Sequence, residues 1–391
     1  MHKDKFGIRP IINSINHPTA SLSQFIDLFL QPFVKNSESF LKDSQNLIQE
    51  CKDLKINHDY FKYSCDFESL YTNINSDDAI KIISDFFKTK MDPYIIDIDI
   101  IGFNEILKLI LYNNIFSFIN YFFIQINGLA MGGKCGPSIA NIYIYIKEKE
   151  WLYLNRANIP IYKRFIDDIF ITSKYDLQNS NFKNIFGNLN LNIICDKEVQ
   201  FLDLLISKHK YFNCLSFKLY TKTTNTFQYL YHTSNHPKHI FNNIPKSLFI
   251  RIRRICSHFI DYLFYSRKLI KMLIKRGYKF ENLIKICLSI GNVDRNSLIP
   301  YKDKEKNLSK YNHNVFKFII NFDINYISLK KDFNRNSSVL KNEFVWLNDF
   351  KFSFLNSASK NLNNLFINSK KFETNQIQYY TKKCNITDCT T

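Results

Sequence analysis

Two acidic stations lie about a hundred residues apart in this chain. Asp66 ends the strand-like run Phe61-Lys62-Tyr63-Ser64-Cys65, and the pair Asp167-Asp168 sits between the apolar half-strands Tyr162–Ile166 and Ile169–Ile171. An Asp-Asp turn is commonly structural, because Asp is a favoured turn residue. Here the apolar runs on both sides aim two charges off the tip of a hairpin, where they repel one another unless a cation neutralises them. Carboxylates gathered from separate strands supply the hard oxygen ligands that divalent-metal phosphoryl transfer requires. That chemistry points toward nucleic-acid polymerisation.

Two further segments carry chemical potential. Phe67-Glu68-Ser69-Leu70-Tyr71 follows Asp66 directly, so a turn there can set the Tyr71 ring against the sugar of an incoming nucleotide; plain core packing is the competing role. Gly128-Leu129-Ala130-Met131-Gly132-Gly133-Lys134-Cys135-Gly136-Pro137 holds four of the nine glycines in the protein. Such a run permits close backbone approach to a flat or charged ligand ahead of a helix N-terminus. It is not a phosphate-binding P-loop, since no Gly-Lys-Ser/Thr follows at the required spacing.

Periodicity supplies the elements that must position these residues. Leu22, Phe25, Ile26, Phe29 and Leu30 mark an amphipathic helix, and Ala79, Ile82, Ile83, Phe86 and Phe87 another, capped by Asn75 with Asp77 and Asp78 in its first turn. Pro137 opens a third helix with an apolar stripe at Ile139, Ile142, Tyr143 and Ile146. Asn188–Ile194 and Phe201–Ser207 read as strands, Phe217–Thr221 with Phe227–Tyr231 as a second hairpin, and Ser247–Arg276 as a basic helical unit that Gly277 terminates. The order of strand, helix, loop, helix and hairpin predicts a mixed α+β sheet layer.

The 391 residues exceed one compact core, and 45% apolar with 23% charged residues is an ordinary globular balance. The net charge is +18, with 17 Lys and Arg against 4 Asp and Glu between residues 201 and 300. An excess confined to one segment marks a polyanion-binding surface rather than uniform codon bias. Arg251, Arg254, Arg267, Lys268, Lys271, Lys275 and Arg276 interleave there with Phe259, Tyr262, Phe264 and Tyr265, which suits a phosphate-tracking face. The nine cysteines are scattered, and no signal peptide opens the chain, so reduced intracellular thiols are expected. The most apolar long stretch, Leu107 to Ile126, is interrupted by Lys108, Asn113, Asn114 and Asn120, so no membrane span is expected. His232, His236 and His239 lack a cysteine pair at zinc spacing, and Cys384 with Cys389 makes only two ligands.

The segments Asp66–Ile74, Gly128–Pro137, Tyr162–Asp168 and Phe201–Leu204 stand in the order of reverse-transcriptase motifs A, B, C and E. Arg9-Pro10-Ile11-Ile12-Asn13-Ser14-Ile15 upstream, and Tyr229-Leu230, His236-Pro237-Lys238-His239 and Arg251–Cys256 downstream, agree. The chain thereby resembles the reverse transcriptases of Penelope-like retroelements, relatives of telomerase, over most of residues 5–280. The resemblance implies an α+β right-hand polymerase: truncated fingers over 1–60, a palm of mixed or antiparallel sheet plus helices over 61–206, a mainly helical basic thumb over 207–300, and a connector of low order over 301–391 without an endonuclease. It implies two Mg²⁺ ions, with Mn²⁺ as an alternative, on Asp66, Asp167 and the backbone carbonyl of Phe67, Asp168 supporting. Arg9 with Lys5 would clamp the triphosphate, and Tyr71 would exclude a 2′-hydroxyl. Met131 and Gly132 would contact the templating base pair. Phe201 and Leu202 would hold the primer end, and His236, Lys238, Arg251 and Arg254 would grip primer and template. The implied partners are an RNA template, a DNA primer and dNTPs, and the implied location is nuclear.

Departures from the pattern temper this. Relatives commonly carry Thr and Ala where Gly133 and Gly136 stand here, so a looser loop is expected. The chain begins almost inside the fingers motif, and residues 380–389 resemble the linker that leads up to a GIY-YIG endonuclease, so a truncated copy is expected. The main rival function is a truncated or domesticated nucleic-acid-binding fragment without polymerase activity. RNA-templated RNA synthesis on the same palm is a third, against which Tyr71 argues.

Overall fold

The computed structural model describes residues 11–15, 17–56, 59–88, 100–118, 121–178, 180–301, 315–321, 331–333, 335, 342 and 351–357. In chain order they form α1 (Ala20–Lys35), α2 (Ser44–Cys51), β1 (Phe61–Phe67), α3 (Leu70–Asn73), α4 (Ser76–Lys88), α5 (Ile100–Tyr112), β2 (Ile115–Phe118), β3 (Tyr121–Ile124), α6 (Gly136–Asn155), β4 (Ile161–Phe165) and β5 (Asp168–Ser173). After a 3₁₀ turn come β6 (Leu191–Cys195), β7 (Glu198–Phe201), β8 (Leu204–Lys208), β9 (Leu215–Leu219), α7 (Lys238–Ile255), α8 (Phe259–Ile274), α9 (Phe280–Gly291), β10 (Val315–Asn321) and β11 (Lys351–Ser357). Two compact units separate: one runs to Thr226 and includes Ile252–Tyr265, the other takes Phe227–Arg251 and Ser266–Ile377.

The first unit is a mixed α+β layer with antiparallel pairing throughout its main sheet, ordered β4-β5-β1-β6. Alternation along β1 sends Tyr63, Cys65 and Phe67 into the apolar core, with Ile169 and Ile171 of β5 beside them. Helices α1, α4, α5 and α6 cover that face, and Phe29, Phe33, Phe87 and Phe103 form an aromatic knot among them. The expected helix signals hold. Asn75 caps α4 by accepting from the Asp78 backbone N–H at 3.0 Å, and Pro137 occupies the first turn of α6. Phe25 is the exception on α1: it is exposed, while Ser23, Ile26, Leu30 and Val34 face inward.

Four expectations need correction. Phe201–Ser207 is not one strand; it breaks at Leu202-Asp203, where Leu202 takes φ 52°, and β7 and β8 pair as a hairpin across that turn. Phe217–Thr221 does not pair with Phe227–Tyr231. Instead Leu215–Leu219 is β9, which takes the free edge of β8 in register Leu204↔Leu219 to Lys208↔Leu215, and Phe227–Tyr231 forms no strand. Ile11-Ile12, which reads in sequence as a short β-like run, forms no strand either, although the Ile12 N–H donates to the Met131 carbonyl at 2.7 Å. The basic helical unit begins earlier, at Lys238, and is divided by Cys256–His258. Gly277 does end it: at φ 82° it lets its own N–H reach Ile274 O and the Tyr278 N–H reach Leu273 O. Helices α2 and α5 and the β2–β3 hairpin have no counterpart among the elements expected from periodicity. No helix among the described residues is long and apolar enough to cross a membrane.

Candidate active site

Because Tyr63, Cys65 and Phe67 point into the core, Ser64 and Asp66 of β1 point to the other face of the sheet. The antiparallel register sets Asp66 directly opposite Asp168, the first residue of β5. Directly opposed residues share a face, with Cβ atoms about 4.5–5.5 Å apart, and like charges so placed repel. Phe165 pairs with Asp168, so Ile166 and Asp167 form the turn between β4 and β5. Ile166 adopts φ 57°, a conformation strained for a β-branched residue and costing of order 1–3 kcal/mol. The turn is held from both sides. Arg164 Nη1 donates to the Ile166 carbonyl at 3.2 Å, and the Phe67 N–H donates to the Asp167 carbonyl at 3.1 Å. The three expected acids are therefore gathered at the shared end of β1 and β5. Burial first, then the charges of Asp167 and Asp66, push the Asp168 carboxyl up to about 7, and the Lys222 ammonium opposes part of that rise.

Tyr71, on α3, lies between these acids and the glycine loop. Its carbonyl accepts from the Leu129 N–H at 2.7 Å, and burial, with the charge of Asp167 second, raises its phenol to about 12. The loop glycines are used for close approach. A Cβ on Gly128 would stand 2.8 Å from Thr72 Cα and 2.9 Å from the Tyr71 carbonyl; one on Gly132 would stand 2.1 Å from the Ile12 carbonyl. Residues 12–14 run along the loop, with Ser14 Oγ donating to the Gly132 carbonyl at 2.6 Å. The loop that carries Gly133 and Gly136 is anchored on its N-terminal side by the hydrogen bonds at Leu129, Met131 and Gly132.

The donor set suits a hard cation: carboxylate oxygens, with ionisation of Asp168 resisted by burial and then by the charges of Asp167 and Asp66. Among the described residues no three His, Cys, Asp or Glu side chains close into a metal cage. Mg²⁺ does not need one, since it is commonly held by one or two carboxylates with waters and substrate phosphates completing the shell.

Residues 228–289 match the model of a family described as an animal helix-turn-helix domain. No curated protein matches the chain by sequence. Among solved structures, the chain is similar to a telomerase from Candida albicans in complex with a TWJ fragment of telomeric RNA, at 11% identity and TM-score 0.48, covering 68% of this chain and 48% of that one. It is similar to apo telomerase from Candida tropicalis at 12% identity and TM-score 0.42, covering 70% and 50%. It is also similar to the RNA-dependent RNA polymerase of a human picobirnavirus at 9% identity and TM-score 0.41, covering 71% and 50%. The chain spans about half the length of these structures. What the acidic site can do follows from its own residues.

The remaining expected residues divide. Lys5 and Arg9 lie outside the described residues, as do Cys384 and Cys389. Met131 is half-buried in the glycine loop and Gly132 exposed. Phe201 is buried, its ring 5.8 Å from that of Phe170, so its side chain supports the sheet; Leu202 occupies the β7–β8 turn. His236 and Lys238 are exposed at the start of α7, Arg251 is exposed near its end and Arg254 is half-buried. Two residues near the acids escaped sequence reasoning. Lys222 has no local signal, because it follows β9 in the chain and meets Asp168 only through the fold. Arg164 stood in plain sight three residues before Asp167, but nothing local marks it as buried.

Proposed function

We propose that this chain is an RNA-directed DNA polymerase of the Penelope-like retroelement kind, extending a primer 3′-hydroxyl with dNTPs on an RNA template. The observation that carries this is the register that opposes Asp66 to Asp168, with Asp167 beside them in the turn. Asp66 and Asp167, with the Phe67 carbonyl, would hold two Mg²⁺ ions (Mn²⁺ the alternative), Asp168 supporting; when bound, these ions supply activation of the primer hydroxyl and charge neutralisation at the leaving pyrophosphate. Tyr71, half-buried beside the glycine loop, would limit room at the sugar, and Met131 and Gly132 would contact the templating base pair. Residues 61–206 act as palm and 207–300 as a basic thumb that tracks phosphates, with His236, Lys238, Arg251 and Arg254 among its contacts. The triphosphate clamp by Arg9 and Lys5, and the nuclear location of such an element, belong to the same proposal.

Primer extension on an RNA template with dNTPs and Mg²⁺ tests it. The parent should incorporate, and Asp167→Ala should lose about a thousandfold or more, consistent with removal of a metal-holding carboxylate. Equal extension by that variant overturns the assignment. Tyr71→Ala should admit ribonucleotides; unchanged sugar choice leaves Tyr71 as core. A second function, a nucleic-acid-binding fragment without chemistry, is favoured by the helix-turn-helix match at 228–289 within the basic segment. Salt-sensitive binding with no incorporation of any nucleotide would select it.

A further inference from the structure

Glu148 on α6 is fully buried, and so is Arg164 on β4, at 0% and 1% exposure of their side chains. Such charges are withdrawn from water only when every hydrogen-bonding group is answered. Here the guanidinium is answered on all sides. Nε donates to both Glu148 oxygens at 3.2 and 3.1 Å, and Nη2 to Glu148 Oε1 at 3.0 Å and the Asn141 carbonyl at 3.0 Å. Nη1 donates to Asn141 Oδ1 at 2.7 Å and to the Ile166 carbonyl at 3.2 Å. The carboxylate is saturated in turn, accepting from the Tyr162 hydroxyl at 2.8 Å and from the Ser39 hydroxyl. The Arg164 backbone is clamped as well, its N–H on the Ser39 carbonyl at 2.7 Å and its carbonyl accepting from the Leu41 N–H at 3.0 Å.

One of these bonds leaves the ion pair and reaches the strained peptide ahead of Asp167. Ile166 sits at φ 57°, a geometry that persists only where the surroundings over-determine it. Asn141 and Glu148 are seven residues apart, two turns of one helix, so a single face of α6 presents both anchors. A lysine there cannot span Glu148, Asn141 and Ile166 together, because only the planar fork of arginine carries five fixed donors.

We infer that Arg164, locked by Glu148 and Asn141, is a positioning residue: it fixes the Ile166 carbonyl and thereby the direction in which Asp167 leaves the β4–β5 turn. Its catalytic consequence rests on the polymerase function proposed above; its structural part does not. The buried pair is retained for geometry, since apolar residues of similar volume commonly serve stability as well or better.

Two variants of the full chain test this: Arg164→Lys, and the apolar exchange Arg164→Met with Glu148→Leu. In amide hydrogen exchange, both should speed exchange of the 165–168 turn and of the Phe67 amide by about tenfold or more, while the helical core keeps its protection. In primer extension both should lower kcat about a hundredfold with little change in the KM for dNTP, as a misplaced catalytic group does. Asn141→Asp, which keeps acceptors toward the guanidinium, should retain turn protection. An unchanged turn in Arg164→Lys, or an apolar double variant that folds and extends like the parent, overturns the inference. If the parent itself incorporates nothing, the polymerase proposal fails, and the exchange measurement still decides whether Arg164 holds the turn.

Discussion

Three carboxylates at the shared end of β1 and β5 repel one another and are partly withdrawn from water, so they weaken the fold that carries them. Asp168→Asn keeps the shape and removes one charge. It should raise the melting temperature by about 1 °C in the absence of divalent cations, the shift expected for about 1 kcal/mol in a protein of this size. A lower melting temperature would mean that Asp168 is a structural partner rather than a member of a repelling group. The glycines permit an equally local contrast. At Gly132, φ 116° and a Cβ position 2.1 Å from the Ile12 carbonyl make alanine costly, by about 1–3 kcal/mol. At Gly133 the nearest atom would be 3.6 Å away, so alanine should instead stabilise by about 0.4–1 kcal/mol by restricting the unfolded chain. Urea unfolding of the two variants checks the difference in sign.

At the scale of elements, strand order decides which thiols can react. β1 lies inside the sheet and buries Cys65, whose thiol burial pushes up to about 12; β6 is an edge strand and leaves Cys195 half-exposed. Cys135, at the entrance to α6, is likewise buried and raised to about 11. Iodoacetamide on the native chain should therefore label Cys195 at least about a hundredfold faster than Cys65 or Cys135, since the thiolate is the nucleophile and access limits it. Comparable rates, read by peptide mass spectrometry, would mean that β1 is not the central strand. The same element logic explains why β7–β9 form their own sheet. The Ser44 hydroxyl donates to the Asp203 carboxylate and the Tyr220 N–H reaches the Asp203 carbonyl at 2.8 Å, so the Leu202-Asp203 turn is fixed from two distant parts of the chain.

For the whole molecule, charge is distributed unequally, with most of the net +18 within residues 201–300. Arg267, Lys271 and Lys275 follow one another at helical spacing along α8 and its end, and all three are exposed. If this stripe neutralises phosphates, Lys271→Gln with Lys275→Gln should weaken binding of an RNA–DNA duplex. The slope of log K against log salt should fall by about 0.7–0.9 for each phosphate that is no longer neutralised. An unchanged slope would leave the stripe as a solvated face. Binding and chemistry are separable in this test, because the acids lie in the other part of the chain.

The local pattern of residues determined the strands β1, β4 and β5, the cap of α4 and the proline start of α6, the α+β class and the three acids worth watching. Each of these depends on alternation, capping chemistry or turn preference within a few neighbouring residues. Tertiary structure alone decided that Asp66 meets Asp168 in register, that Phe201–Ser207 folds back on itself at Leu202, and that β9 rather than Phe227–Tyr231 takes the edge of β8. Glu148 and Arg164 belong to this second group: nothing in the residues around them marks either charge as buried. Whether a charge is buried, and what answers it there, depends on residues brought together by packing from Ser39 to Ile166, and spacing along the chain carries no record of those meetings.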